Sequence, residues 1–108
     1  MVREISTRDL AKQMANGHAV LLLDVRQLWE NQLAVIPGSM HIPLNELCHR
    51  TREIPAALEN QIVVYCHHGV RSLSAAGLLQ RVGITNVRSL AGGIDAWSCE
   101  IDPTIPRY

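Results

Sequence analysis

One short segment of the chain, residues 66–72, combines a cysteine, a glycine and an arginine at close spacing. We expect Cys66 to be the catalytic residue, acting as a thiolate nucleophile. Three features would favour the thiolate over the thiol. They are the free N–H groups of a following helix, the nest of backbone N–H donors that a positive φ at Gly69 permits, and the charge of Arg71. The same N–H groups would hold an anionic substrate. The alternative is a buried structural cysteine at a strand end, the commonest role of a lone cysteine.

The other residues of the loop are assigned to its anion cradle and rim. Val70 and Ser72 complete the cradle, while His67 and His68 would shape the rim and tune the choice of acceptor. Their charge near pH 7 would modulate the entry of anions. Zinc requires a spaced ligand set, which neighbouring histidines beside a cysteine do not supply, so we predict no metal site.

The spacing between Cys66 and Arg71 separates two chemistries. Four residues intervene, whereas cysteine-dependent phosphatases use a similar loop one residue longer, which surrounds a tetrahedral phosphate. The shorter loop is expected to fit a sulfane sulfur carried on the cysteine better than a phosphoryl transition state. A small phosphatase or arsenate reductase remains the less favoured alternative.

Three charged residues after an earlier apolar run are candidates for supporting roles. Asp24 is expected to satisfy backbone donors at a strand end. Arg26 either assists an anionic donor at the mouth of the site or forms a structural pair with Glu30. Glu30 would alternatively orient Arg71 by fixing its guanidinium fork near the loop.

Strands are predicted where short apolar runs lack alternation. Residues 20–23 and 62–65 form two such runs, which are typical of strands buried on both faces of a parallel sheet. A further short strand is expected within residues 84–90. Because ligands bind beyond the carboxyl ends of parallel strands, Cys66 lies where a site is expected.

Helices are predicted between these strands. The first is capped by Ser6 and stopped by Gly17, and a short one surrounds residues 45–49. The third starts at Ser72 or just before it and ends at Gly83, and a last one follows a glycine pair. The buried face of the third helix is expected to comprise Ala75, Leu78, Leu79 and Val82. The alternation predicts one α/β domain over residues 1–108, with a mostly parallel sheet and helices on both faces.

Composition excludes several classes of protein. Ten Lys and Arg balance ten Asp and Glu in 108 residues, which argues against a nucleic-acid or anionic-membrane partner. The chain has no apolar stretch of membrane-spanning length, and charges occupy the positions of a signal-peptide core. Its cysteines (Cys48, Cys66 and Cys99) form no CxxC pair, which favours a reducing, cytoplasmic location.

The sequence resembles the single-domain rhodaneses along nearly its whole length. The motif LDVR at 23–26 with Glu30, IPGS at 36–39 with IPL at 42–44, the loop at 66–72 and LAGGIDAW at 90–97 stand in the order of that family. The ending resembles the rhodanese domain fused to adenylyltransferases of molybdopterin and thiamine sulfur transfer. One departure is that Ala34-Val35 replaces the Gly-His of many members.

The resemblance implies a fold, an activity and partners. The fold would be a rhodanese-like three-layer sandwich of about five strands. The activity would be that of a thiosulfate-type sulfurtransferase, in which Cys66 accepts sulfur from a small donor such as thiosulfate and passes it to a thiophilic acceptor. Neither a metal nor an organic cofactor is implied. The alternative is a persulfide-relay or protein-interaction module that exchanges sulfur with a partner protein and turns over small molecules slowly.

Overall fold

Five parallel strands form the central sheet of the computed structural model, which describes residues 2–55 and 61–108. The sheet order is β1-β5-β4-β2-β3, and every neighbouring pair is parallel. The strands are β1 (Arg3–Ile5), β2 (Val20–Asp24), β3 (Met40–His41), β4 (Gln61–Tyr65) and β5 (Val87–Leu90). The prediction of a largely parallel α/β sheet of about five strands is confirmed.

Helices cover both faces of this sheet. They are α1 (Thr7–Ala15), α2 (Leu28–Leu33), α3 (Leu44–Arg50), α4 (Val70–Arg81) and α5 (Gly93–Glu100), with a 3-10 turn at Thr51–Glu53. Leu47 of α3 and Leu79 of α4 belong to one buried cluster, and Leu10 of α1 and Trp97 of α5 belong to the other. Two cores separated by the sheet explain why β2 and β4 are apolar at consecutive positions.

The register of the sheet brings the ends of β2 and β4 together. Asp24 pairs with Tyr65, and the N–H of Val25 donates to the carbonyl of Tyr65 at 3.2 Å. Cys66 therefore leaves the sheet beside the segment that follows Asp24. On the other side of β4, Ser89 of β5 pairs with Val64.

Most of the expected elements are present. Ser6 caps α1 by accepting a hydrogen bond from the N–H of Asp9, and Gly17 adopts a φ of +79° just after the helix. The predicted strands and the short helix near residues 45–49 are confirmed. No helix in residues 2–55 and 61–108 has the length and apolar character to cross a membrane.

The start of α4 agrees with the prediction, whereas one residue near its end does not. The helix begins at Val70, just before Ser72, with Gly69 as its N-cap. Val82, expected on the buried face, follows the helix and is exposed. By that point the chain has left the core and is turning towards β5. The strands β1 and β3 and the helix α2 were not predicted.

Candidate active site

The sulfur of Cys66 lies at the carboxyl end of β4, beneath the loop that leads into α4. Its side chain is buried, and Sγ accepts hydrogen bonds from the N–H groups of Gly69 at 3.1 Å and Ser72 at 3.3 Å. The second of these belongs to the first turn of α4, where N–H groups lack partners within the helix. Two backbone dipoles thus point at the sulfur, an arrangement that stabilises negative charge there.

Two glycines allow the loop to close around the sulfur. Gly69 has a φ of +100°, and a Cβ on it would lie 3.1 Å from the Gly92 nitrogen. Gly93 has a φ of +61°, and a Cβ there would lie 2.5 Å from the Cys66 carbonyl oxygen. Both positions require a residue without a side chain. The sequence predicts only that a helix follows Gly92 and Gly93, and this close approach to the loop was not predicted.

The start of α5 fixes the backbone of the loop. The N–H of Ile94 donates to the carbonyl of Cys66 at 2.9 Å, and that of Asp95 donates to the carbonyl of His67 at 3.1 Å. These two carbonyls therefore point towards α5, while the N–H groups of Gly69 and Ser72 face the sulfur.

A pair of buried hydroxyls lies beside the sulfur. The Ser72 Oγ is 3.5 Å from Cys66 Sγ and 2.7 Å from the Ser89 Oγ. A serine hydroxyl donates to the sulfur when the sulfur is ionised. Ser72 was included in the predicted cradle, whereas Ser89 was missed because only strand pairing brings it near.

Arg71 is held by a bidentate pair with Glu30. Nη1 and Nη2 of Arg71 each donate to one Glu30 carboxylate oxygen at 2.7 Å. The Glu30 side chain is 4% exposed, whereas that of Arg71 is 34% exposed. The hydrogen bonds from Arg71 are the largest cause that lowers the pKa of Glu30 to about 2, and the Gln27 N–H adds to the effect. Of the alternatives for Glu30, the structure shows the contact with Arg71.

Both alternatives predicted for Arg26, a place at the mouth of the site and an ion pair with Glu30, are wrong. Its guanidinium neither reaches the mouth of the site nor pairs with the Glu30 carboxylate; it binds Asp24 through Nε at 2.9 Å and Nη2 at 2.8 Å. Neither side chain is exposed. Residue 26 is the second residue after β2, and its side chain lies beneath α2, where the carbonyls of Glu30 and Ala34 accept further hydrogen bonds. Asp24 also accepts from the Arg26 backbone N–H, as a residue that satisfies backbone donors does.

Aromatic rings flank the loop on the side of His67. The His67 ring stacks on His68 and on Tyr108, with centroids 3.9 Å apart in both cases. Burial, followed by the neighbouring His68, lowers the pKa of His67. His68 is largely exposed, with Nδ1 3.9 Å from an Asp95 carboxylate oxygen, and Val70 is exposed at the rim. Tyr108 was missed, because nothing in its local sequence indicates that it folds back onto residue 67.

A cavity of about 520 Å³ opens beside Arg71. It is lined by Val25, Gln27, Pro43, Leu44, Asn45 and Arg71. A larger cavity of about 660 Å³ lies beyond the end of α4, lined by residues that include Val82 and Asn86. Of these two cavities, the one beside Arg71 adjoins the loop, and its lining combines one cation with neutral polar and apolar groups, which suits a small anion.

Similar proteins share the fold and the sequence pattern. The model of the rhodanese-like domain matches residues 6–100. A sulfurtransferase of Allochromatium vinosum is 36% identical over 98 residues, covering 91% of this chain and 90% of that protein. A solved rhodanese-related protein of Thermoplasma volcanium superimposes with a TM-score of 0.83 at 30% identity, covering 98% of this chain and 99% of that one.

A longer relative contains the same domain as one part. An adenylyltransferase and sulfurtransferase of Zea mays is 35% identical over 109 residues, which cover 96% of this chain. The match spans 23% of the length of that protein. Together, the family match, the relatives and the five-stranded parallel fold show that the chain belongs to the rhodanese-like family of sulfurtransferases.

Proposed function

We propose that the chain carries a sulfane sulfur on Cys66, taking it from an anionic donor such as thiosulfate and passing it to a thiophilic acceptor such as cyanide. The observation that carries this proposal is the pair of backbone N–H groups that donate to Cys66 Sγ. Arg71 supports it, because its partly exposed guanidinium provides positive charge beside the loop.

The first half of the reaction loads the sulfur. The Cys66 thiolate attacks the outer sulfur of thiosulfate, a new S–S bond forms, and the S–S bond of thiosulfate breaks as sulfite leaves with its electron pair. The product is a persulfide anion on Cys66, and the N–H groups of Gly69 and Ser72 stabilise its negative charge. Arg71 would attract the anionic donor and stabilise the departing sulfite.

The second half returns the enzyme to its starting state. Cyanide attacks the outer sulfur of the persulfide, a C–S bond forms, and Cys66 departs as a thiolate while thiocyanate is released. The same N–H groups stabilise the sulfur in its ionised leaving state. Covalent catalysis thus divides one transfer into two displacements, and neither consumes an external oxidant or reductant.

The test is to load the protein with thiosulfate and follow Cys66 by mass spectrometry. We expect one added sulfur atom on the peptide that contains Cys66, lost on addition of cyanide as thiocyanate appears. The matched controls are Cys66→Ser, which should abolish both signals, and Cys48→Ser, which removes an exposed cysteine and should change neither. An unloaded wild-type protein, or equal turnover by Cys66→Ser, would overturn the proposal. Hydrolysis of an aryl phosphate that Cys66→Ser abolishes would favour the phosphatase alternative.

A second candidate is a relay that delivers the sulfur to a partner protein. The observation that favours it is the similarity to one part of a longer adenylyltransferase and sulfurtransferase. The discriminating measurement is the rate at which the loaded protein loses sulfur to cyanide and to a co-purified partner. Faster loss to the partner supports the relay, whereas equal or slower loss leaves the small-molecule activity as the better description.

A further inference from the structure

The structure points to a further positioning residue: we infer that Tyr108 orients Arg71 towards an anionic donor, by holding the Glu30 carboxylate that in turn holds Arg71. The inference rests on the proposed function, because it concerns how the same site attracts its donor. Tyr108 lies in the segment after α5, far along the chain from both residues.

The direction of the hydrogen bonds at Tyr108 is fixed by chemistry. Nη1 of Arg26 lies 2.8 Å from the Tyr108 hydroxyl oxygen and can only donate, so the hydroxyl accepts there. The single hydroxyl proton is then directed to Oε1 of Glu30, at 3.0 Å. Burial raises the pKa of Tyr108, which keeps the proton on the phenol at neutral pH.

The two oxygens of Glu30 are held symmetrically. Oε1 accepts from Tyr108 and from Nη2 of Arg71, while Oε2 accepts from the Gln27 N–H and from Nη1 of Arg71. Each oxygen therefore has one donor from Arg71 and one from a fixed part of the fold. Because a bidentate pair is planar, fixing the plane of the carboxylate fixes the plane of the guanidinium.

The ring of Tyr108 is itself held in place. It lies parallel to the His67 ring at an angle of 8°, and the Trp29 ring meets it edge-on with centroids 5.9 Å apart. Tyr108 thus contacts the residue next to Cys66 through its ring, and the partner of Arg71 through its hydroxyl. A purely structural role would need the ring alone, so the hydroxyl is the group to test.

The experiment compares two alkylating agents of similar size, anionic iodoacetate and neutral iodoacetamide. The ratio of their rates at Cys66 reports the positive charge near the sulfur, because the reactivity and burial of the sulfur affect both rates. Tyr108→Phe removes the hydroxyl and keeps the ring. We expect it to lower the iodoacetate-to-iodoacetamide ratio about threefold to tenfold, as loss of one hydrogen bond to a positioned group would.

Three controls make the outcome decisive. The ratio at the exposed Cys48, followed on the same molecules by peptide mass spectrometry, should not change. Arg107→Gln alters an exposed ion pair in the same segment and should leave the Cys66 ratio as it is. Arg71→Gln should lower the Cys66 ratio at least as much as Tyr108→Phe does.

The inference and the proposed function fail in different ways. If Arg71→Gln lowers the ratio and Tyr108→Phe does not, the inference is overturned while the charge of Arg71 still acts at Cys66. An equal drop in Arg107→Gln would also overturn it, since general packing of the segment would then explain the effect. If Arg71→Gln itself has no effect, the inference fails with the electrostatic part of the proposed mechanism, and the sulfur-loading test remains independent of both.

Discussion

Two bidentate arginine–carboxylate pairs each contact the Tyr108 hydroxyl and have different surroundings: Arg26 binds Asp24 through Nε and Nη2, and Arg71 binds Glu30 through Nη1 and Nη2. Arg26 and Asp24 are completely buried, while Arg71 is one-third exposed against a buried Glu30. All five N–H groups of Arg26 have acceptors: two on Asp24, and one each on Glu30, Ala34 and Tyr108. Within the described chain, two N–H groups of Arg71 donate, both to Glu30.

The comparison shows that a bidentate contact alone does not decide what an ion pair does. A buried guanidinium with every donor satisfied has nothing left to offer a ligand, and its role is to join β2 to the end of α2. Arg71 faces the cavity that it lines and retains N–H groups that can reach an anion there. Burial and the number of unused donors therefore distinguish the pair that joins parts of the fold from the pair that we propose acts on a substrate.

The largest effect on stability is expected from Arg26→Met. The substitution keeps an apolar stem of similar length but leaves the Asp24 charge and two backbone carbonyls buried without their partner. Breaking a buried pair in this way costs about 3–5 kcal/mol, which urea-induced unfolding would measure.

The control for this prediction is Arg107→Met, which breaks an exposed pair with Asp95 and should cost less than about 1 kcal/mol. If Arg26→Met leaves too little folded protein to measure, Asp24→Asn in the same chain should recover part of the loss, since the lone buried charge is then removed. Equal losses in the free energy of unfolding for Arg26→Met and Arg107→Met would show that the buried pair stabilises the fold no more than the exposed pair does.

A smaller effect is expected when acid titrates Glu30. Its pKa is about 2 in the folded protein, against an ordinary value of 4.5. A carboxyl with a lowered pKa stabilises the fold above its unfolded pKa, and that contribution is lost as the pH falls towards the folded pKa. Wild type should therefore lose about 1–2 kcal/mol more than Glu30→Gln between about pH 5 and pH 3.

The measurement is the urea unfolding midpoint of both proteins at a series of pH values. Between about pH 6 and pH 7 the difference between them should be constant, because Glu30 is ionised in both the folded and the unfolded state there. Parallel curves down to pH 3 would mean that the carboxylate does not depend on Arg71 for its ionisation.

Sequence reasoning found the parts of this molecule that are local in the chain. The apolar runs of β2 and β4 predict buried parallel strands. Residues 66–72 include the cysteine, glycine and arginine of the loop, but the residues that bind this loop, such as Glu30 and Ile94, lie elsewhere in the chain. The missed elements were short: β1 has three residues, β3 has two and α2 has six. Segments of that length contain too few residues to show a period.

The partners within the site depended on contacts between distant residues. Glu30 and Arg71 are 41 positions apart, and Tyr108 is 82 positions from Arg26. The choice between Arg26 and Arg71 as the partner of Glu30 could not be made from spacing, because both were plausible until the sheet placed β4 next to β2. Arg26 was misjudged because an arginine at a strand end is normally exposed, and here five acceptors surround it.

The last and smaller effect on stability is expected from Arg71→Gln, at about 1–2 kcal/mol and no more than the acid titration of Glu30, because Arg71 supplies only part of what keeps that buried carboxylate ionised. Glu30 keeps the hydrogen bonds from Gln27 and Tyr108, and water can reach the space that the guanidinium leaves. The rate of Cys66 loading by thiosulfate should nevertheless fall at least about tenfold, since one charge-assisted interaction with the anion is lost. Arg71→Lys should restore part of that rate, because it keeps the charge without the planar fork. A stability loss like that of Arg26→Met, with unchanged loading, would make both pairs structural and remove the distinction between them.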